Sequence, residues 1–92
     1  MPSNEEYELE LFIENDGDLY RQQHNPINRN LALKKYKGIY DHAKAVKLFM
    51  YLVENGAKKY AKEMSLHGAW FELFDISTRR KVAEKLTLRF ED

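Results

Sequence analysis

One run of residues constrains this chain more than any other. After Asp41, the residues Ala45, Val46, Phe49, Leu52 and Val53 recur at i, i+1, i+4, i+7 and i+8. At 3.6 residues per turn these positions fall on one side of a helix, in a stripe wide enough to be the main face of a core. Asp41 sits where a carboxylate caps the first exposed N–H groups of that helix. Asn55-Gly56 ends or bends it, because Gly is the usual left-handed stop, and a further turn or two follows from Ala57 to Met64.

Such a stripe needs other elements to cover it. Pro26 after Asn25 reads as a first helical residue behind its cap, and Gly38 as a stop, giving a helix over 26–37. Its Ile27 and Leu31 share one face, and Leu33 and Tyr36 another. Asn15-Asp16-Gly17-Asp18 is a turn in which Asp16 or Asp18 caps a short helix from Leu19 toward His24. Ser77 or Thr78 begins a last helix that aligns Val82, Ala83, Leu86 and Phe90. Between them, Leu66 to Ile76 reads as a packed helical turn, with at least two of Trp70, Phe71 and Phe74 buried.

The N-terminus reads differently. Tyr7, Leu9, Leu11 and Ile13 alternate with Glu6, Glu8, Glu10 and Phe12, the period of two expected of a half-buried strand. A strand needs a ladder partner. The choices are the alternating stretch Leu86–Phe90 or the same segment of a second copy in a homodimer, with a helix as the remaining reading. The expected fold is thus mainly α: a compact three- or four-helix single domain over 1–92, with an acidic N-terminal segment, 1–18, carrying a short β-strand, and a helical core, 19–92.

Several function classes are disfavoured. There is no Cys, hence no disulfide or cysteine–zinc site, which suits a reducing compartment. The first ten residues are polar and acidic rather than signal-like, and the longest apolar run, Leu48–Val53, is six residues, so a cytoplasmic protein with no membrane partner is expected. His24, His42 and His67 lack the His-x-x-x-His spacing that presents two ligands on one helix face. Glu14, Asp16 and Asp18 resemble the start of a calcium loop, but Leu19 stands where that loop needs Gly and Asn25 where it needs Glu. Ser3, Ser65, Ser77, Thr78 and Thr87 have no nucleophile elbow around them, and Gly17, Gly38, Gly56 and Gly68 stand singly rather than in a phosphate-cradling loop. The expectation is a non-enzymatic protein with no cofactor and no metal.

Charge carries the functional signal. Net charge is zero, but residues 1–20 hold seven acidic groups and no basic one, whereas residues 21–62 hold ten basic groups against Asp41 and Glu54. If the helix after Asp41 continues through Gly56, Lys44, Lys47, Tyr51, Glu54 and Lys58 lie opposite its apolar stripe. With Arg29, Lys34 and Lys35 upstream, they form a face suited to phosphates, with Tyr51 or Tyr40 to stack on unpaired bases. The nucleic-acid-binding residues so assigned are Arg29, Lys34, Lys35, Lys44, Lys47, Tyr51 and Lys58. The same lysines also suit the solvated side of an amphipathic helix, with the acidic segment lying across them. An acidic protein surface is the other partner this face fits. The alternative function is a protein-interaction module that uses the acidic segment or an exposed aromatic among Trp70, Phe71 and Phe74.

The stretch Lys37-Gly38-Ile39-Tyr40-Asp41-His42-Ala43-Lys44-Ala45-Val46-Lys47-Leu48, with Tyr51-Leu52-Val53 and Gly56-Ala57-Lys58-Lys59-Tyr60, resembles small open reading frames of bacteriophages and their hosts. The resemblance runs from Ile13-Glu14-Asn15-Asp16 to Arg79-Arg80-Lys81-Val82-Ala83. It implies a phage or mobile-element origin and a cytoplasmic setting. That family has no assigned activity, so the resemblance carries over no site residue. For the alternative function it suggests a small phage factor that binds a host protein.

Overall fold

The computed structural model describes residues 4–64 and 70–92, with Phe71 through its backbone alone. The elements are α1 (Asn4–Asn15), α2 (Gly17–Gln22), a π-helical turn (Gln23–Ile27), α3 (Asn28–Tyr36), α4 (His42–Glu63), α5 (Trp70–Leu73) and α6 (Ile76–Glu91). The protein is mainly α, and there is no strand among the described residues. Of the expected turn over Leu66–Ile76, Leu66, His67, Gly68 and Ala69 lie outside the described residues, as does Ser65.

Helix α4 is the axis. Four of the five residues of its stripe are buried, Ala45, Phe49, Leu52 and Val53 joining Leu9, Ile13, Leu19, Leu31, Phe74, Val82, Ala83 and Leu86 in one cluster, with Val46 partly buried at its margin. Asp41 caps it, its Oδ1 accepting from the N–H groups of Ala43 and Lys44 at 2.9 and 3.3 Å. Gly56 neither ends nor bends α4. It is buried mid-helix and faces Ile13 of α1, and a Cβ placed there would lie 2.7 Å from Ile13 Cγ1. Glycine is required at this position by close approach between helices, not by a turn.

The N-terminal segment is a helix, which overturns the strand and the intersubunit ladder built on it. Its buried residues are Glu6, Leu9, Glu10 and Ile13, at i, i+3, i+4 and i+7. Two members of that helical stripe are carboxylates, so the apolar letters alone show only an alternation. Cations of α6 make the burial tolerable. Glu6 meets Lys81 at 3.6 Å and Lys85 at 3.7 Å; Glu10 meets Lys85 at 3.6 Å and also Arg89; Glu14 meets Arg89. The pairing climbs both helices in step, so α1 and α6 run parallel. Helix α4 runs antiparallel to α6, since His42 reaches Glu91 and Glu54 reaches Arg79.

Pro26 does not begin a helix, as the Asn25 cap had suggested. The chain winds through it without interruption from α2 to α3. Proline offers no N–H and its ring crowds the carbonyl four residues back. Here the helix widens instead, and the Asn28 N–H reaches five residues back to the Gln23 carbonyl. Upstream, Asp16 is the cap of α2, accepting from the N–H groups of Asp18 and Leu19 at 3.1 and 3.0 Å.

Gly38 ends α3 with φ of 74°. The Ile39 N–H bonds Lys34 C=O at 2.9 Å and the Gly38 N–H bonds Lys35 C=O at 3.0 Å, which is a Schellman closure. Gly38→Ala should lower stability by about 1 kcal/mol, read by urea unfolding, because an L side chain resists the left-handed region. The last helix begins one residue earlier than Ser77. Asp75 is its cap, accepting from the Thr78 N–H at 2.8 Å, and Ser77 and Thr78 occupy the first turn.

Three carboxyl groups are held below their ordinary range. Asp16 is lowered by the hydrogen bond from Lys59 and then by the Leu19 N–H, Glu91 by bonds from Tyr40 and His42, and Asp75 by the Thr78 N–H. A depressed folded-state pKa adds stability that is present above the unfolded values, 3.8 for Asp and 4.5 for Glu, and is lost as pH falls through the lower folded values. Burial raises the Tyr40 and Tyr60 phenols. Their contribution is present below the unfolded value of 10.0 and lost as pH rises past it. The urea midpoint should therefore hold from pH 5 to 9 with respect to these groups and fall below about pH 4.5 and above about pH 10, with Asp16→Asn flattening the acid limb.

Candidate nucleic-acid interface

The outer face of α4 is set by the same periodicity that buries its inner one. Lys44, Lys47, Tyr51 and Lys58 all project on the side opposite Phe49 and Val53, and all are exposed. Lys62 extends the row. Because α4 continues through Gly56, Lys62 stands five turns from Lys44, about 27 Å away at 1.5 Å per residue. The assigned residues stop at Lys58, although Lys62 follows at a spacing of four and shares its face once the helix runs through Gly56.

No acidic group neutralises this row among the described residues. Lys44, Lys47 and Lys62 have no ion-pair partner there, and Glu54, the acid nearest in register, is 3.5 Å from Arg79 of α6. The acidic N-terminal segment does not lie across these lysines. Glu6, Glu10 and Glu14 face α6, Glu8 accepts from the Tyr60 hydroxyl of α4 at 3.4 Å, and Asp16 and Asp18 hold Lys59 of the same helix at 2.7 and 3.4 Å. Lys59 sits one residue round the helix from Lys58, turned toward α2.

Aromatic rings complete the face unevenly. Tyr51 is 70 % exposed in the middle of the row. Lys58 Nζ lies 5.1 Å from the centre of the Trp70 ring, and the Arg79 guanidinium lies 4.7 Å from it, so the indole meets two cations. Phe74 is buried, Trp70 is half-buried, and the side chain of Phe71 lies outside the described residues. Tyr40 is not placed for stacking on a ligand. It is partly buried, donates to Glu91 and lies against Phe90 with ring centres 6.0 Å apart.

The remaining assigned residues sit on α3. Arg29 is exposed and Lys34 half-buried, while Lys35 extends over the rings of Tyr40 and Phe90, 5.5 and 5.1 Å from their centres. The fold thus gathers Lys44, Lys47, Tyr51 and Lys58 onto one helix face. Arg29, Lys34 and Lys35 belong to a different helix, and Lys35 is directed to an aromatic pair at the end of α6. Among the described residues there is no group of three His, Asp or Glu side chains that could hold a metal ion, and no helix is long and apolar enough to cross a membrane. No known protein family, curated protein or solved structure matches the chain.

Proposed function

We propose that this is a non-enzymatic protein that binds single-stranded nucleic acid along the outer face of α4. The observation that carries the reading is the unneutralised row Lys44, Lys47, Lys58 and Lys62 around an exposed Tyr51. Lysines at this spacing displace counterions from a phosphate backbone, and an exposed phenol ring between them offers a stacking platform to an unpaired base. A duplex presents no free base face, which is why a single strand suits this surface better.

Fluorescence anisotropy with labelled single- and double-stranded DNA and RNA, at ~50 and ~200 mM salt, tests the reading. Affinity for a single strand should fall steeply with salt, and Lys44→Glu with Lys47→Glu should flatten the log–log slope by about one for each phosphate that is no longer neutralised. Tyr51→Ala should weaken binding by about 1–3 kcal/mol. Trp70, the sole tryptophan, gives a second signal through Lys58. Absence of binding at low salt, or binding indifferent to the double reversal, would remove the proposal.

One observation favours a protein partner instead. Leu33, Tyr36 and Ile39, at the end of α3, are 51 %, 90 % and 62 % exposed. Apolar side chains so placed suit a small phage factor that occupies a host protein. The acidic segment contributes less to that reading, because Glu6, Glu10 and Glu14 are paired within the fold. Stoichiometric, nuclease-insensitive recovery of one host protein, abolished by Tyr36→Ala, would establish this reading in place of the first.

A further inference from the structure

A shallow depression of about 230 Å³ lies on the outer face of α4, lined by Lys47, Met50, Tyr51 and Glu54. Lys47, Tyr51 and Glu54 stand at i, i+4 and i+7, so they share one side of the helix. The cation and the acid are about 10.5 Å apart along the axis, with the phenol ring between them. That ring is 70 % exposed, and Met50, partly buried against the core, adds an apolar surface beside it.

Glu54 is the exception in a row of cations. Its Oε1 lies 3.5 Å from Arg79 Nη1, longer than an ordinary charge-assisted hydrogen bond, and its side chain is 34 % exposed. Arg79 has partners of its own, donating to the Phe74 carbonyl at 3.0 Å and lying against the Trp70 ring. A carboxylate has about four lone-pair sites, so Glu54 keeps acceptor capacity that a ligand can reach from solvent. Beside the path of a strand this charge repels phosphate and adds nothing to backbone affinity. What it can do there is accept from a base.

The chemistry of the four bases then separates them. An ionised carboxylate only accepts, through two oxygens. On the edge of an unpaired base, guanine presents two neighbouring donors, N1–H and the N2 amine, with the O6 acceptor next to them. Adenine and cytosine each present one amine beside a ring nitrogen that carries a lone pair, and uracil or thymine presents one N–H between two carbonyl oxygens. Two carboxylate oxygens therefore find two donors in guanine alone, and the other bases set an oxygen against a lone pair. Lys47 completes the match, because a lysine ammonium donates to guanine O6, and its three donors allow a phosphate contact as well.

We propose that this depression is a guanine subsite, a reading that rests on the strand-binding face of α4. The base stacks on Tyr51, its N1–H and N2 amine donate to the Glu54 carboxylate, and O6 accepts from Lys47 Nζ. The phosphates on either side lie along Lys44, Lys58 and Lys62. The face thus prefers a strand with guanine at one position and accepts any base at the others.

The test is fluorescence anisotropy with short oligothymidine strands that carry one central guanine, inosine, adenine, cytosine or thymine, at ~50 mM salt. The guanine strand should bind about tenfold more tightly than the inosine strand, which differs from it only by the missing N2 amine. Adenine, cytosine and thymine should be weaker than guanine by at least that factor. Glu54→Gln, whose amide brings a donor where guanine needs acceptors, should remove the difference between guanine and inosine. The comparison of those two strands on the wild-type chain does not depend on the variant folding. Equal affinity for guanine and inosine, with the all-thymidine strand bound and weakened by salt, would overturn the subsite and leave the strand-binding face intact. A guanine preference that survives in folded Glu54→Gln would overturn the role of the carboxylate and make Glu54 a counterion of Arg79 alone. Failure of every strand to bind at low salt would overturn both readings together.

Discussion

Gly56→Leu should cost about 3 kcal/mol or more, enough to leave a domain of ordinary stability largely unfolded on mild heating. Leu is the better helix former, and on propensity alone the change would stabilise α4 by close to 1 kcal/mol. Packing reverses the sign. A Cβ at this position meets Ile13 Cγ1 at 2.7 Å, Ile13 Cδ1 at 3.1 Å and Leu19 Cδ1 at 3.6 Å. Ile13 is fully buried, and its Cγ1 lies close to the backbone, so α1 itself must move away.

Gly56→Ala should show the same conflict at smaller scale, with a net loss of about 1 kcal/mol. Ile13→Ala removes the obstructing atoms, and the double variant Ile13→Ala/Gly56→Ala should be more stable than the two single losses summed. Urea unfolding of the four proteins forms the cycle. Additive losses would mean that α1 does not pack on Gly56.

Glu10→Lys is the second large effect, at about 3 kcal/mol. Glu10 is 8 % exposed and lies between Lys85, 3.6 Å away, and Arg89. Reversal sets a third cation against those two in a place where water cannot fully solvate it. Glu10→Gln should cost less, about 1 kcal/mol, because an amide still accepts from Arg89 and carries no repulsion. Pairing Glu10→Lys with Arg89→Glu restores an attractive contact across the same interface and should recover most of the loss. Chemical denaturation at low and high salt checks both the recovery and its screening. If Glu10→Lys were tolerated within about 0.5 kcal/mol, as surface substitutions usually are, the charge ladder between α1 and α6 would not be what holds them in register.

This ladder shows where sequence reading reached its limit. Glu6, Glu10 and Glu14 repeat every four residues, as do Lys81, Lys85 and Arg89. Each row alone reads as a solvated helix edge, and some 75 residues separate the partners. Reading the acidic rows as exposed left only the apolar letters of the segment, and those alternate. The charge map likewise opposes the basic middle to the acidic start, whereas the cations that meet Glu6, Glu10 and Glu14 come from α6. The residues of α4 were legible because its periodicity lies within one element, so its inner and outer faces follow from 3.6 residues per turn. The π turn was not legible, since it depends on Pro26 being absorbed into a helix rather than starting one.

The sequence by itself determined the elements whose causes are local: the stripe of α4, its Asp41 cap, the stop at Gly38, a cap at Asp16 or Asp18 and the alignment of Val82, Ala83 and Leu86. Each depends on atoms within a turn or two of one another, where backbone geometry dictates the outcome. Tertiary structure decided what depends on a distant partner. It turned a segment with a strand's alternation into α1, made Gly56 a packing residue instead of a terminator, and left Lys44, Lys47 and Lys62 of α4 with no ion-pair partner among the described residues while Lys59 meets Asp16 and Asp18. The physical reason is that burying a carboxylate, or bringing two helices to backbone contact, is favourable only once the opposing surface is in place.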